Sequence, residues 1–133
     1  MHLLSITAVY TALLALLYAA LGLRVAVLRR RNRAGFGDAG NAELRSAIRA
    51  HAHFAEYVPI IALMVAMLEI SGLSATSVHG LMAALLVARL LHPLGMYADP
   101  QTLRFRVCRV GGMGLTISVM IACAALILSR SLL

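Results

Sequence analysis

The stretch Arg49-Ala-His-Ala-His53-Phe-Ala-Glu56-Tyr57-Val-Pro59 leads into Ile60-Ile-Ala-Leu-Met-Val-Ala-Met-Leu68. It sets an arginine, a histidine and a glutamate at the mouth of an apolar segment long enough to enter a membrane. Charge at a helix centre in a bilayer costs roughly 2.5–3.5 kcal/mol per residue on insertion scales, so a chain that keeps it there is usually using it. Arg49, His53 and Glu56 fall at i, i+4 and i+7, which puts all three on one helical face. They can therefore point together into a bundle interior rather than into lipid.

The rest of the chain fits that setting. Of its 133 residues, 62% are hydrophobic, against about half in a soluble domain. The mean hydropathy is +0.90, concentrated in long runs. Together these indicate an integral membrane protein. The net charge of +7 comes from twelve arginines and no lysine. Those arginines flank apolar spans, where topology and anionic lipid headgroups account for them better than nucleic acid does. Cys108 and Cys123 are far apart and read as small apolar side chains, with neither a disulfide framework nor a zinc signature.

Four spans follow from the hydropathy, at about 3–28, 42–70, 75–96 and 105–128. The first is too long and too poor in basic residues at its start for a signal peptide, and Arg29-Arg30-Arg31-Asn32-Arg33 stops it. The glycines of Ala34-Gly-Phe-Gly-Asp-Ala-Gly40 make the next segment a loop, after which Asn41 is placed to cap the second helix. Pro59 lies within that helix, as membrane helices tolerate. Ser71-Gly72 and Asp99-Pro100 mark the remaining turns. The reading is all-α: one four-helix transmembrane domain over residues 1–133. Arginines crowd the first and third connections and are almost absent from the second, which predicts that the two rich loops face the cytoplasm.

Two small-residue stripes, Gly80/Ala84/Ala88 and Gly114/Ser118/Ala122, are candidates for close helix contact. Arg89 and His92 share a face of the third helix and need polar partners, of which Glu56 is one candidate and a subunit interface another. With Arg45, Arg49, His53, Tyr97, Arg104 and Arg106 they form a basic cluster at one end of the bundle. Such a cluster suits an anionic ligand, since arginine forks onto carboxylates, and a nearby arginine favours a thiolate over a thiol. Structural ion pairs and snorkelling arginines are the plainer alternative. His51 and His53, two apart on a helix, point in nearly opposite directions and are not expected to share a metal ion.

Arg49-(x)3-His53-(x)2-Glu56-Tyr57-Val-Pro59, following a glycine-rich loop, resembles the second-helix signature of the MAPEG family, the membrane-associated proteins in eicosanoid and glutathione metabolism. Gly80-Leu-Met-Ala-Ala-Leu-Leu-Val-Ala-Arg89-Leu-Leu-His92-Pro-Leu-Gly95 extends the likeness to the third helix, and it covers essentially the whole chain. The resemblance implies a homotrimer of four-helix subunits with glutathione between neighbours near the cytoplasmic face. It implies that Arg49, His53, Glu56 and Tyr57 bind glutathione, and Arg89, His92 and Tyr97 are read as completing the glutathione-binding set. It also implies that an arginine after the third helix, Arg104 or its neighbour Arg106, stabilises the glutathione thiolate. Two positions depart from the pattern: His53 replaces an asparagine and His92 a frequent tyrosine. The function so implied is transfer of glutathione to, or reduction of, a lipophilic small molecule from the bilayer. The alternatives are a non-catalytic membrane protein of the same fold that binds another anion or lipid, and a small proton-coupled carrier.

Overall fold

The structure, a computed structural model, describes residues 5–132, so the expected start of the first span at Leu3 lies outside the described residues. Its helices are α1 (Ser5–Arg31), α2 (Ala42–Ile70), α3 (Ala75–Gly95) and α4 (Gly112–Ser131). A π-helical segment, Phe105–Gly111, runs directly into α4. Four helical stretches are long and apolar enough to cross a membrane, the last being Phe105–Ser131. α1 continues past Leu28 to end on Arg29, Arg30 and Arg31, whose charge favours the negative end of the helix dipole.

Helix starts are fixed by local chemistry. Asn41 accepts a hydrogen bond from the Leu44 amide at 2.9 Å and Ser74 one from Ser77 at 3.3 Å, each satisfying an otherwise unpaired first-turn donor. α1 has a tertiary cap. The Glu69 carboxylate, from the far end of α2, accepts the amides of Ile6 at 3.1 Å and Thr7 at 2.9 Å. At the same end Arg130 donates to the Ser71 carbonyl at 2.8 Å, and the Tyr10 hydroxyl meets His79 Nδ1 at 3.3 Å. At the opposite end Arg24 pairs with Glu43 at 3.2 Å and lies 4.5 Å above the Tyr97 ring. These contacts establish an up-down-up-down bundle whose first and third connections lie together.

α2 and α3 form the centre, each packing against the other and against both α1 and α4; α1 and α4 make no contact with each other among the described residues. The buried positions on α2, Ala50, Phe54, Val58, Ile61, Val65 and Leu68, recur every three or four residues. They meet Leu14 and Leu21 of α1, Val78, Met82 and Leu85 of α3, and Val119 and Cys123 of α4. α1 buries only Thr7, Leu14, Leu21 and Leu28, a narrow seam with period seven.

The close approach of α3 and α4 differs from the expected one. A methyl group added at Gly80 or Gly114 would meet nothing within 4 Å, so these glycines do not bring helices together inside the subunit. Gly95 and Gly112 do. A Cβ on Gly112 would sit 3.0 Å from the Ala88 carbonyl oxygen, and one on Gly95 would lie 2.7 Å from the Arg109 Cα. Of the two predicted stripes, Ala88 makes this contact, and it pairs with Gly112 rather than Gly114. Gly112→Leu is therefore expected to lower stability in detergent by at least the about 1–3 kcal/mol typical of overpacking. Gly80→Leu should leave the subunit's fold intact. Thermal unfolding followed by circular dichroism checks both, and equal loss in the two variants would contradict this register.

Candidate functional site

Arg89 is the most deeply buried charge, 1% exposed. Glu56 is not its partner. Phe54, Val58 and Ile61 occupy the inner face of α2, so Glu56 is turned outward and exposed. Arg89 instead donates to the Thr116 hydroxyl by a short hydrogen bond and to the Gly112 carbonyl at 3.4 Å. Thr116 passes its own proton to that same carbonyl at 2.8 Å. Both bonds come from one terminal nitrogen, while Arg89 Nε is buried without a partner among the described residues, so oriented dipoles meet the guanidinium in part and no carboxylate does. Gly112 serves twice, as the gap that admits α3 and as the acceptor beneath Arg89.

Above Arg89 lies a pair of imidazoles. His92 is 2% exposed and stacks on His53, with ring centroids 5.2 Å apart and planes 20° from parallel. His92 Nδ1 meets the Arg109 carbonyl at 3.3 Å. His53 Nε2 is 2.6 Å from the Arg49 guanidinium, and the Tyr57 ring centroid lies 6.4 Å from that of His53. His51 turns the other way and stacks on Tyr18 of α1 at 4.4 Å. A cavity of about 380 Å³ is lined by His53, His92, Arg109, Val110, Met113 and Gly114.

Arg104 and Tyr97 belong to a separate recess. Its volume is about 410 Å³, and its walls are Leu21, Arg24, Glu43, Pro93, Leu94, Tyr97 and Arg104. Arg104 is exposed and donates through Nε to the Leu94 carbonyl at 3.1 Å, which leaves its terminal nitrogens free of hydrogen bonds within the described residues. Burial pushes the Tyr97 phenol above its ordinary pKa, with Arg24 working in the opposite direction, so it is an uncharged donor at neutral pH. Within one chain, then, Arg49, His53, Tyr57, Arg89 and His92 are gathered together, while Tyr97 and Arg104 are held apart with Arg24 and Glu43.

Arg49 and Glu56 stand out for what they lack. Among the described residues the ion pairs are Arg24–Glu43 and Arg45–Asp38, and neither Arg49 nor Glu56 joins one. Both lie on the exposed stripe of α2 that continues through Ile60, Leu63 and Met67. The stripe is polar where it nears the arginine-rich end and apolar beyond.

Comparison with known sequences agrees with this architecture. Residues 7–125 match the MAPEG family. The chain belongs to the MAPEG family. It is 37% identical over 92 residues to the inner membrane protein YecN of Escherichia coli strain K12, covering 69% of this chain and 70% of that protein. The YecN of Escherichia coli O6:H1 matches to the same extent. No solved structure matches significantly. The chain is thus a multi-pass membrane protein and a small bacterial-type MAPEG member.

Three residues of these two clusters escaped the sequence reading. Arg24 and Glu43 read as a flanking charge and a first-turn acid, and their meeting across α1 and α2 carries no local signal. Arg109 lies in the π-helical segment, whose extra residue per turn alters which carbonyls face α3. Gly95 and the pair Gly111-Gly112 were the available hint.

The dipole cage around Arg89 can be tested directly. Thr116→Val keeps the side-chain shape but strips a buried guanidinium of its short hydrogen bond. The expected loss is about 1.5–3 kcal/mol, as for hydrogen bonds to charged groups, against about 1 kcal/mol for a neutral one. Ser118→Ala, at an exposed hydroxyl that bonds only the Gly114 carbonyl of its own helix, serves as the control and should cost less. Denaturation in detergent measures both, and a Thr116→Val variant as stable as the parent would remove the cage from this account.

Proposed function

We propose that this MAPEG member binds glutathione, or a closely similar thiol peptide, on the outer face of α2 where a second copy of the chain meets it. The observation that carries the reading is the unpaired, exposed Arg49 and Glu56 on a membrane helix. A guanidinium that can fork onto a carboxylate and a carboxylate that can hold an ammonium suit a ligand carrying both charges. Leaving Glu56 against lipid would be costly, so a neighbouring subunit and a zwitterionic ligand supply what the chain itself does not. His53 positions Arg49 through their hydrogen bond, and the Tyr57 ring packs close to His53.

In the assembled protein, a homotrimer by family resemblance, Arg104 of one subunit completes the site of the next. Its free terminal nitrogens then lie near the bound thiol and favour the thiolate. The thiolate sulfur attacks an electrophilic carbon of a lipophilic molecule. A carbon–sulfur bond forms, and the leaving group departs with the bonding pair. The arginine-rich end faces the cytoplasm, supported by the arginine imbalance between the two ends. Labelling of Gly37→Cys from outside intact cells by an impermeant reagent would contradict that placement.

Calorimetry on the purified protein in detergent, titrated with glutathione and S-hexylglutathione, tests the reading. Saturable binding is expected, weakened about 10–100-fold by Arg49→Ala through loss of a charged hydrogen bond. Arg104→Ala should instead lower the thiolate absorbance of bound glutathione at neutral pH and reduce turnover more than affinity. Absence of saturable binding in intact oligomers would overturn the proposal in favour of a non-catalytic membrane protein that binds another anion or lipid.

A further inference from the structure

Two recesses adjoin at the arginine-rich end, with Glu43 and Tyr97 as their common wall. In the first, of about 410 Å³, Leu21 and Leu94 meet Arg24 and Arg104. The second, of about 400 Å³, is bordered by Glu43 and Asp99. The side chains therefore follow an order. Leu21 lies about one turn before Arg24 on α1, Arg24 meets Glu43, and Glu43 shares the second recess with Asp99. Apolar surface gives way to a cation, and the cation to two acids.

The charged groups in this series are open to a ligand. Arg24 gives one terminal nitrogen, Nη2, to one oxygen of Glu43, and the two side chains are 50% and 51% exposed. Other donors of Arg24 and the second Glu43 oxygen stay accessible. Asp99 is exposed and joins neither ion pair among the described residues; its Oδ1 accepts from the Gln101 amide at 3.0 Å, which leaves Oδ2 open. The depth is that of a lipid headgroup. From Ile6 to Arg24, α1 rises about 27 Å, close to the about 30 Å thickness of the hydrocarbon core. Arg24 thus stands where phosphates begin. Towards the bilayer centre the first recess continues along α3, where Leu94, Leu90 and Val87 are all half-exposed on one face.

We infer that the two recesses hold an ethanolamine phospholipid of the leaflet at this end, with its phosphate on Arg24, its ammonium against Glu43 and Asp99, and an acyl chain along Leu94, Leu90 and Val87. The lipid carries the same order of groups: apolar chain, anion, cation. A purely anionic headgroup would set its phosphate beside two carboxylates without a cation to meet them. A choline headgroup has the positive charge but no N–H to donate, whereas an ammonium has three. Arg24, Glu43 and Asp99 take no part in the proposed thiol chemistry, so the assignment stands independently of thiol-peptide binding.

The full-length protein, delipidated in detergent, is mixed with equal amounts of dioleoyl phosphatidylethanolamine, phosphatidylcholine and phosphatidylglycerol, and native mass spectrometry reads which lipids it retains. Retention of the ethanolamine lipid is expected to exceed that of the choline lipid at least about tenfold, as for loss of a hydrogen bond between charged groups. Glu43→Gln combined with Asp99→Asn should bring that ratio close to one, while Glu56→Gln leaves it unchanged. Arg24→Gln should lower retention of all three lipids. All the substituted side chains are exposed, and circular dichroism verifies that the variants fold. Equal retention of the ethanolamine and choline lipids by the unmodified protein would overturn the inference. So would an unchanged preference in the folded double variant, or displacement of the ethanolamine lipid by glutathione, which would give the recesses to the thiol peptide instead.

Discussion

The arrangement depends on burying Arg89 without a counterion. A guanidinium inside a membrane bundle needs acceptors, and α3 finds them only by approaching α4 closely enough to reach Thr116 and the Gly112 carbonyl. That approach is possible because position 112 has no side chain, and Gly95 gives the same freedom against Arg109. Once α3 lies there, His92 is carried against the Arg109 carbonyl and His53 is stacked above it. The imidazole pair, its cavity and the π-helical turn thus follow from one close helix contact. A π-helical turn inside a helix frequently marks a functional site, because it re-aims backbone groups that a regular helix would use internally.

The polar residues divide by the face of α2 on which they lie. The inner side passes its polarity inward through His53 to His92, where partners lie within the chain. The outer side keeps Arg49 and Glu56 unpaired. Burial distinguishes these roles even though the residues are neighbours in sequence.

Much of the fold was legible because hydropathy in a membrane protein reports span length directly. The glycine loop before Asn41 and the cap that Asn41 makes depend only on local backbone preferences, so they too could be read. Which small residues bring helices together could not. Lipid and helix interior are equally apolar, so an alanine-rich helix does not reveal its buried face by pattern, and the reading settled on Gly80 and Gly114 where the contacts fall at Gly95 and Gly112. The partner of Arg89 was misread for a related reason: pairing it with Glu56 assumed that opposite charges attract across the bundle. In fact the apolar residues of α2 decided the helix rotation and turned Glu56 outward. The i, i+4, i+7 spacing correctly linked Arg49 to His53 but did not show that the ring of His53 leans inward while Glu56 stays outside.

The central claim is that Glu56 of one subunit and Arg104 of another border a common site. Glu56→Cys and Arg104→Cys chains carrying different tags, each also bearing Cys108→Ser and Cys123→Ala, would be co-expressed and treated in membranes with a short bis-maleimide. The account predicts a cross-linked product containing both tags. Failure to form any mixed-tag product, with both chains present and reactive towards a monofunctional maleimide, would contradict it.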